Sequence, residues 1–277
     1  VGSEMCIRDR LWVHDAQLAA SLAVLLVDPT LDPVCRQAQA VRGLPRLAVA
    51  QAGLPAKAGG LSLLPASSLW AVARLAGAMA VRPYLIEHAD SFCLPASALS
   101  TVSTLTYYSG LRAAFAELHL RSARSAVLYP DFTSLLSGSP VSQHDLAEGV
   151  FVDQFLEVVA QQPSAAMRAR LYSAAGLHAG AWLGTFPVTR MTTVRARHWQ
   201  LAMVVRLGCA IPELMPVAGV TPLCGGCSQQ HDSFGFHPGI CRVGNRAGLW
   251  TIRHDAVETM PAYVIRRLGR QCIVVSR

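Results

Sequence analysis

The chain is almost devoid of lysine. Of its 24 basic residues 23 are arginine, and Lys57 stands alone. Charged residues make up only 15% and aromatics 7%, while 52% of the 277 residues are hydrophobic. That excludes a chain disordered by composition and leaves enough apolar side chain for a sizeable core. Eight cysteines are too sparse for a disulfide scaffold of this length. No apolar run reaches the roughly 18 residues that a membrane-crossing helix needs. The nearest, Ala16 to Val27, is short and follows His14 and Asp15. No secretory leader is apparent. No Gly-x4-Gly-Lys-Ser/Thr occurs, which excludes a P-loop. Carboxylates are missing altogether between Val158 and Pro212, a stretch that holds six arginines.

That last absence shapes the charge map. Net charge is +7, but residues 1–157 carry 11 basic and 13 acidic groups, against 13 and 4 in residues 158–277. Such an asymmetry points the second half toward a polyanion. Arginine suits phosphate, because its planar fork can bind two oxygens at once.

The densest chemistry lies between Leu223 and Asp255. Cys224, Cys227, His237 and Cys241 form a Cys-x2-Cys-x9-His-x3-Cys pattern. Zinc takes four such ligands in a tetrahedron, with sulfur at about 2.3 Å and imidazole nitrogen at about 2.0 Å. A Cys-x-x-Cys turn places two sulfurs on one metal, and Gly225 and Gly226 are expected to supply the positive φ angles of that turn. His231 competes with His237 as the histidine ligand, but only His237 pairs with Cys241 in a closed hook. Asp232 becomes an oxygen ligand only if one of the four is lost. The plainer alternative is a reduced Cys-x-x-Cys in a loop. Four protein ligands make the expected Zn2+ structural, and its binding energy is then folding energy for the tail.

Elsewhere the pattern is mainly helical. Periodicity predicts helices over Leu11–Val27, Pro33–Gly53, Pro65–Val81 (ended by Pro83), Pro95–Arg124 with a break at Ser109-Gly110, and Ser142–Gln161. Leu69, Trp70, Val72, Ala73, Ala76 and Ala80 form the apolar stripe of the third. Ser142-x-x-Asp145 reads as a capping box. Val150, Phe151, Phe155, Leu156 and Val159 make the buried face of that helix. Ser164 caps the next helix, with Met167, Leu171, Ala174 and Leu177 inward and Arg168 and Arg170 outward. Thr193 caps a last long helix that Gly208 ends. Tyr129–Pro140 reads as a loop and domain boundary. The expected fold is a helical bundle with a small C-terminal zinc-nucleated motif, including a strand at Cys272–Val275. The regions are 11–140, a basic helical linker at 141–212, and the zinc tail at 213–277. Val1–Arg10 resembles a translated sequencing-adapter peptide and is set aside, so Cys6 is given no role.

Three features stay double-edged. Gly59-Gly60 is either a phosphate-contacting loop or a turn between helices. Tyr107-Tyr108 can stack bases or pack in a core. His88-Ala89-Asp90 superficially matches the His-x-Glu of a zinc deaminase, but its acid is aspartate and a surface histidine explains it. The candidate nucleic-acid contacts are Arg195, Arg197 and Arg206 on the last helix, then Arg242, Arg246, Arg253, His254, Arg266 and Arg267 in the tail. The alternative for the helix face is plain solvation, and His254 can equally be a helix-start residue.

Two separated blocks carry a resemblance. Leu54-Pro55-x-x-x-Gly59-Gly60-Leu61-x-Leu63 is one. Gly180-Ala181-Trp182-Leu183-x-x-Phe186-Pro187, Arg206-Leu207-Gly208, the Cys/His array and Arg253-His254-Asp255 make the other. Together they resemble the region downstream of the reverse transcriptase in non-LTR retrotransposons, particularly elements with a restriction-like endonuclease. Phe236 departs from the pattern, standing where aspartate often precedes the histidine. The resemblance implies a Cys-Cys-His-Cys zinc knuckle whose helical linker handles template RNA or target DNA, within an intracellular, nuclear parent element. It implies no chemistry in this stretch itself. No adjacent Asp-Asp, as a polymerase palm needs, occurs in the sequence, and the single Pro-Asp, Pro130-Asp131, has no lysine nearby. The chain is therefore expected to be a fragment without polymerase or nuclease sites, whose missing domains belong to the same polypeptide. The other reading is a stand-alone zinc-stabilised helical protein-interaction module.

Overall fold

Apolar residues at helical spacing dominate the sequence, and a computed structural model of the chain is mainly helical over the residues it describes, the expected helical stretches 33–43 and 95–105 lying outside them. It describes residues 2–26, 44–88, 106–137, 141–176, 178–184, 196–211, 214–216, 219–237 and 241. Among these the structure is mainly helical and no strand forms. The helices are α1 (Gly2–Leu26), α2 (Arg46–Ala52), α3 (Ala66–Glu87), α4 (Thr106–Arg121), α5 (Ala123–Leu128), α6 (Phe132–Ser137), α7 (Gln143–Ala160), α8 (Ala165–Ala174) and α9 (Ala196–Leu207), with a 3-10 turn at Ala181–Gly184. None is long and apolar enough to cross a membrane. The chain divides into two packed units, Val1–Cys209 and Ala210–Arg277.

In the first unit α3 supplies Val72, Leu75, Ala76 and Met79, and α4 supplies Leu111, Ala114, Phe115 and Leu118. Both sets follow the i, i+3, i+4, i+7 rule that puts side chains on one stripe. Leu135 of α6 and Leu146, Ala147 and Val150 of α7 complete this core. Each large side chain buried here contributes on the order of 1.5–3 kcal/mol relative to exposure. Because α7 shares the core with α3 and α4, the packing has no break at residue 140. The stripe on α3 is also shifted: Ala73 and Ala80 face solvent, and Leu75 and Met79 take the inner places.

Several helix ends differ from expectation. Pro83 lies inside α3 instead of ending it. Its fixed φ fits a helix, and so near the C-terminus it forfeits little of the hydrogen-bond ladder. Helix α4 runs through Ser109-Gly110 without a break, with Gly110 buried. The break comes at Ser122, whose hydroxyl accepts the Ser125 N–H at 3.1 Å and starts α5. The segment read as a loop contains α6, opened by Asp131, which accepts the Ser134 N–H at 2.7 Å. The capping box at Ser142 and Asp145 and the Ser164 cap form as expected. Pro65 offers α3 no side-chain cap. Asp15 supplies one from α1, accepting the Ala66 and Ser67 N–H groups at 2.8 and 3.0 Å. Leu156, expected inside, is 53% exposed, and α7 turns Leu146, Ala147, Val158 and Val159 inward.

The segment from Gly53 to Leu63 folds back over the end of α2. The Leu61 and Leu63 N–H groups both reach the Ala52 carbonyl, at 3.1 and 3.2 Å, and the Ser62 N–H reaches that of Leu54 at 2.9 Å. Gly59 has φ +85°, and a Cβ on Gly60 would sit 2.0 Å from the Leu54 carbonyl oxygen. This pair is therefore a tight structural turn, which gives both glycines a packing reason.

A buried polar node holds this turn to the far end of the unit. Gln51, fully buried, donates to the carbonyls of Gly59 at 2.9 Å and Arg206 at 2.7 Å, and accepts from the Arg170 guanidinium at 2.8 Å. Arg170 also donates to the Arg206 carbonyl. Arg206 donates to the carbonyls of Gly60 at 3.1 Å, Ala179 at 3.1 Å and Ala56 at 2.8 Å. Arg206 is thus satisfied by main-chain oxygens, while Arg170 is shared between a main-chain carbonyl and the Gln51 amide oxygen and keeps a buried Nε without a partner. Burial holds both guanidinium groups below their ordinary pKa, most directly at Arg206. Arg170 was expected outward. It turns inward because the carbonyl at the end of α9 and the Gln51 amide offer it acceptors.

Candidate metal centre

The second unit is organised by hydrogen bonds around its sulfurs. A bridge pairs Leu223 with Gln230, the Cys224 N–H donates to the Gln229 carbonyl at 2.8 Å, and the His231 N–H donates to that of Pro222 at 2.9 Å. Between these rungs Cys224-Gly225-Gly226-Cys227 turns back, closed by the Ser228 N–H on the Cys224 carbonyl at 2.8 Å. The positive φ expected at Gly225 and Gly226 falls on Ser228 instead, at +58°. Gly225 and Gly226 keep ordinary φ, and the chain reverses one residue later, after the second cysteine.

The other hook is built by Asp232. Its carboxylate accepts the N–H groups of Phe234 and Phe236, each at 2.9 Å, and of His237 at 2.5 Å. Burial works to raise the Asp232 pKa, but the three N–H donors outweigh it and leave it lowered. The Ile211 N–H on the Ser233 carbonyl, at 2.7 Å, ties the turn down. The Cys241 N–H then bonds the His237 carbonyl at 2.9 Å, which holds the two residues close to each other. Asp232 is thus a positioning residue for His237, a role the sequence did not reveal. The signal available was an aspartate ahead of a Gly-x-His segment, the usual address of a side-chain-capped turn.

These two hooks bring Cys224, Cys227, His237 and Cys241 together, with one ligand atom from each lying within 4.8 Å of all the others. Cys224 and Cys241 are buried, and Cys227 and His237 half-buried. The Cys224 and Cys241 sulfurs are 3.7 Å apart. Two thiolates at about 2.3 Å from a tetrahedral zinc lie about 3.8 Å apart by the same geometry. Cys227 Sγ and His237 Nε2 are 3.1 Å apart. Of the two histidines the sequence left in competition, it is His237 that joins the cysteines.

The donor set also has the electrostatics of a cation site. The N–H groups of Cys227 and Gly226 pull the Cys224 thiol down to about 5, against an opposing effect of burial, with further help from His237 and Cys241. At Cys227 the Gln229 N–H favours the thiolate, but burial and the Cys241 and Cys224 sulfurs outweigh it and push that thiol up. The neighbouring sulfurs that hold back ionisation of Cys227 are compensated when a divalent cation sits among them. The residues present therefore fit a metal ion, and a closed four-ligand set leaves no open position on it.

The arginines fare differently. Arg206, expected among the nucleic-acid contacts, is buried at 7% exposure and bonded on three sides to main-chain carbonyls. Its role is internal, and that expectation is corrected. Arg197 is half-buried on α9. Arg195, Arg242, Arg246, Arg253, His254, Arg266 and Arg267 lie outside the described residues, as do Thr193 and the expected strand at Cys272–Val275. His88 closes α3 and stacks on Tyr84 with ring centroids 4.2 Å apart, while Asp90 lies outside the described residues.

No family model matches this chain, and comparison with curated proteins and with solved structures returns no match either.

Proposed function

We propose that the chain is a nucleic-acid-gripping segment of a retroelement protein, the part that follows a reverse transcriptase, and that zinc at Cys224, Cys227, His237 and Cys241 holds its tail in shape. The observation that carries the reading is the convergence of those four ligand atoms from two separate hooks. A ligand set with no vacancy suits a structural ion and not a hydrolytic one. Further support comes from the Gln51–Arg170–Arg206 node. Leu54–Leu63 and Arg206–Gly208, two of the stretches that prompted the family resemblance, are parts of one packed unit. Zinc would supply cross-linking of the tail. The protein's own residues set the turn through Ser228 and aim His237 through Asp232.

The test has two arms. Metal analysis of the full chain is expected to give one zinc per chain, with chelator melting the tail. Cys224→Ser that keeps stoichiometric zinc and an unchanged fold would refute the metal assignment. In the second arm, fluorescence anisotropy follows binding to labelled single-stranded RNA and duplex DNA at 50 and 200 mM salt. Counterion release predicts an affinity loss on the order of a hundredfold for about four or five phosphate contacts. A flat salt response refutes nucleic-acid binding.

A second reading, a zinc-stabilised protein-interaction module, is favoured by an apolar groove of about 600 Å3 lined by Ala58, Leu64, Phe151, Val152 and Phe155. Under it, the salt response is flat while the zinc remains.

A further inference from the structure

One imidazole beside the metal centre has no assigned work. His231 sits on the limb of the hairpin opposite Cys224, held there by its N–H on the Pro222 carbonyl at 2.9 Å. Its ring meets that of His237 edge to face, with centroids 5.5 Å apart. Its Nδ1 is buried and has no hydrogen-bond partner. A buried polar atom without a partner costs on the order of 1–3 kcal/mol and calls for an explanation, an ion being one of the recognised ones. Asp232, the next residue, anchors the turn that carries His237, so both imidazoles are fixed by the same few residues. Cys227 and His231 are four apart in sequence, a separation within the range found between zinc ligands.

We propose that His231 is a standby metal ligand: when His237 leaves the ion, the His231 imidazole takes the vacated fourth position, so the three cysteines never hold the metal alone. The inference rests on the zinc reading above and deepens it. The exchange breaks one metal–nitrogen bond and forms another. No redox step or net proton change is needed, since both imidazoles are neutral when bound. A centre built this way releases its ion slowly even when the His237 turn opens. The three half-buried or buried sulfurs stay engaged, and the His231 ring already lies edge to face against that of His237, with centroids 5.5 Å apart.

The experiment uses the full chain and four forms: wild type, His231→Ala, His237→Ala and the double variant. Zinc affinity is measured by competition with a chromophoric chelator, and Co2+ spectra report the donor set. Wild type and H231A are expected to bind alike. H237A is expected to keep one metal per chain and to bind it at least tenfold more tightly than the double variant. Its Co2+ spectrum should remain that of a tetrahedral three-sulfur, one-nitrogen site, and the double variant should show three sulfurs and water. Equal affinities for H237A and the double variant overturn the proposal, as does an H237A chain that takes up no metal. His237→Asn, which keeps a planar polar side chain on the turn but has no nitrogen at the Nε2 position, repeats the comparison and is read in the same way. A wild-type chain that binds no zinc sinks the underlying zinc reading instead, so the two failures are distinct.

Discussion

Replacing Arg206 by methionine tests whether the two-arginine node holds the first unit together. Methionine retains most of the apolar stem and removes the guanidinium. Three carbonyls, those of Gly60, Ala179 and Ala56, then lose their donors at 3.1, 3.1 and 2.8 Å. Hydrogen bonds to a charged group contribute about 1.5–3 kcal/mol each, which gives a gross loss of about 5–9 kcal/mol. Against this stands the relief of no longer burying a cation, worth several kcal/mol. The net destabilisation is about 3 kcal/mol. In a unit of this size each kcal/mol moves the midpoint by about 2–4 °C. Calorimetry of the full chain should therefore show the main transition lowered by about 6–12 °C. Lysine at the same place keeps the charge but cannot spread three donors in one plane, so R206K should lose nearly as much. Hydrogen exchange localises the effect, with faster exchange of the Leu61, Ser62 and Leu63 amides that pin the turn to α2. If R206M melts within about 1 °C of wild type, or R206K restores full stability, the carbonyl-satisfied node is not what holds the turn.

Two further outcomes follow from the same unit. Gly60→Ala would drive a methyl group to 2.0 Å from the Leu54 carbonyl oxygen. The turn must then open, and a loss of at least about 3 kcal/mol, on the scale of the more severe point substitutions, should appear as a lowered urea midpoint. At the Asp15 cap, burial raises the carboxyl pKa, but the Ser67 hydroxyl, the Ser67 and Ala66 N–H groups and His14 outweigh it and leave it lowered. A group lowered on folding stabilises fully above its unfolded pKa and loses that contribution as pH falls through the folded value. Asp15→Ala should therefore cost about 1 kcal/mol at pH 7, as lost caps do. The gap to wild type should close in denaturation curves taken below about pH 4, and a pH-independent gap would argue against the cap.

The parts of the structure that could be read beforehand are those written in side-chain type and spacing. Ser142 with Asp145, Ser164, and the four metal ligands each occupy a short window in which residue identity dictates geometry. Gly208, which ends α9 at φ +66°, belongs with them. Helix ends that depend on a distant partner could not be read that way. Nothing near Pro65 reveals that Asp15 caps α3 from fifty-one residues away. Pro83 looked like a stop because the sequence shows the missing donor but not the packing that carries α3 past it. The arginines were harder still. The carboxylate-free stretch suggests a phosphate partner, yet Arg206 is answered wholly and Arg170 in part by main-chain carbonyl oxygens, which every residue carries and which composition cannot distinguish. Asp232 was visible as a possible ligand, whereas its grip on three backbone N–H groups exists only after the chain has turned.

The node has a genetic consequence. In most buried ion pairs a lost charge can be rescued by a second substitution at the partner, so the two positions drift together. Here the acceptors are main-chain oxygens of Ala56, Gly60 and Ala179, and no exchange of side chains can supply or withdraw them. Position 206 should therefore behave as a solitary constraint. A saturation screen should find arginine alone tolerated there, and a search for compensating mutations should recover changes that redirect the 53–63 turn and none that simply add an opposite charge.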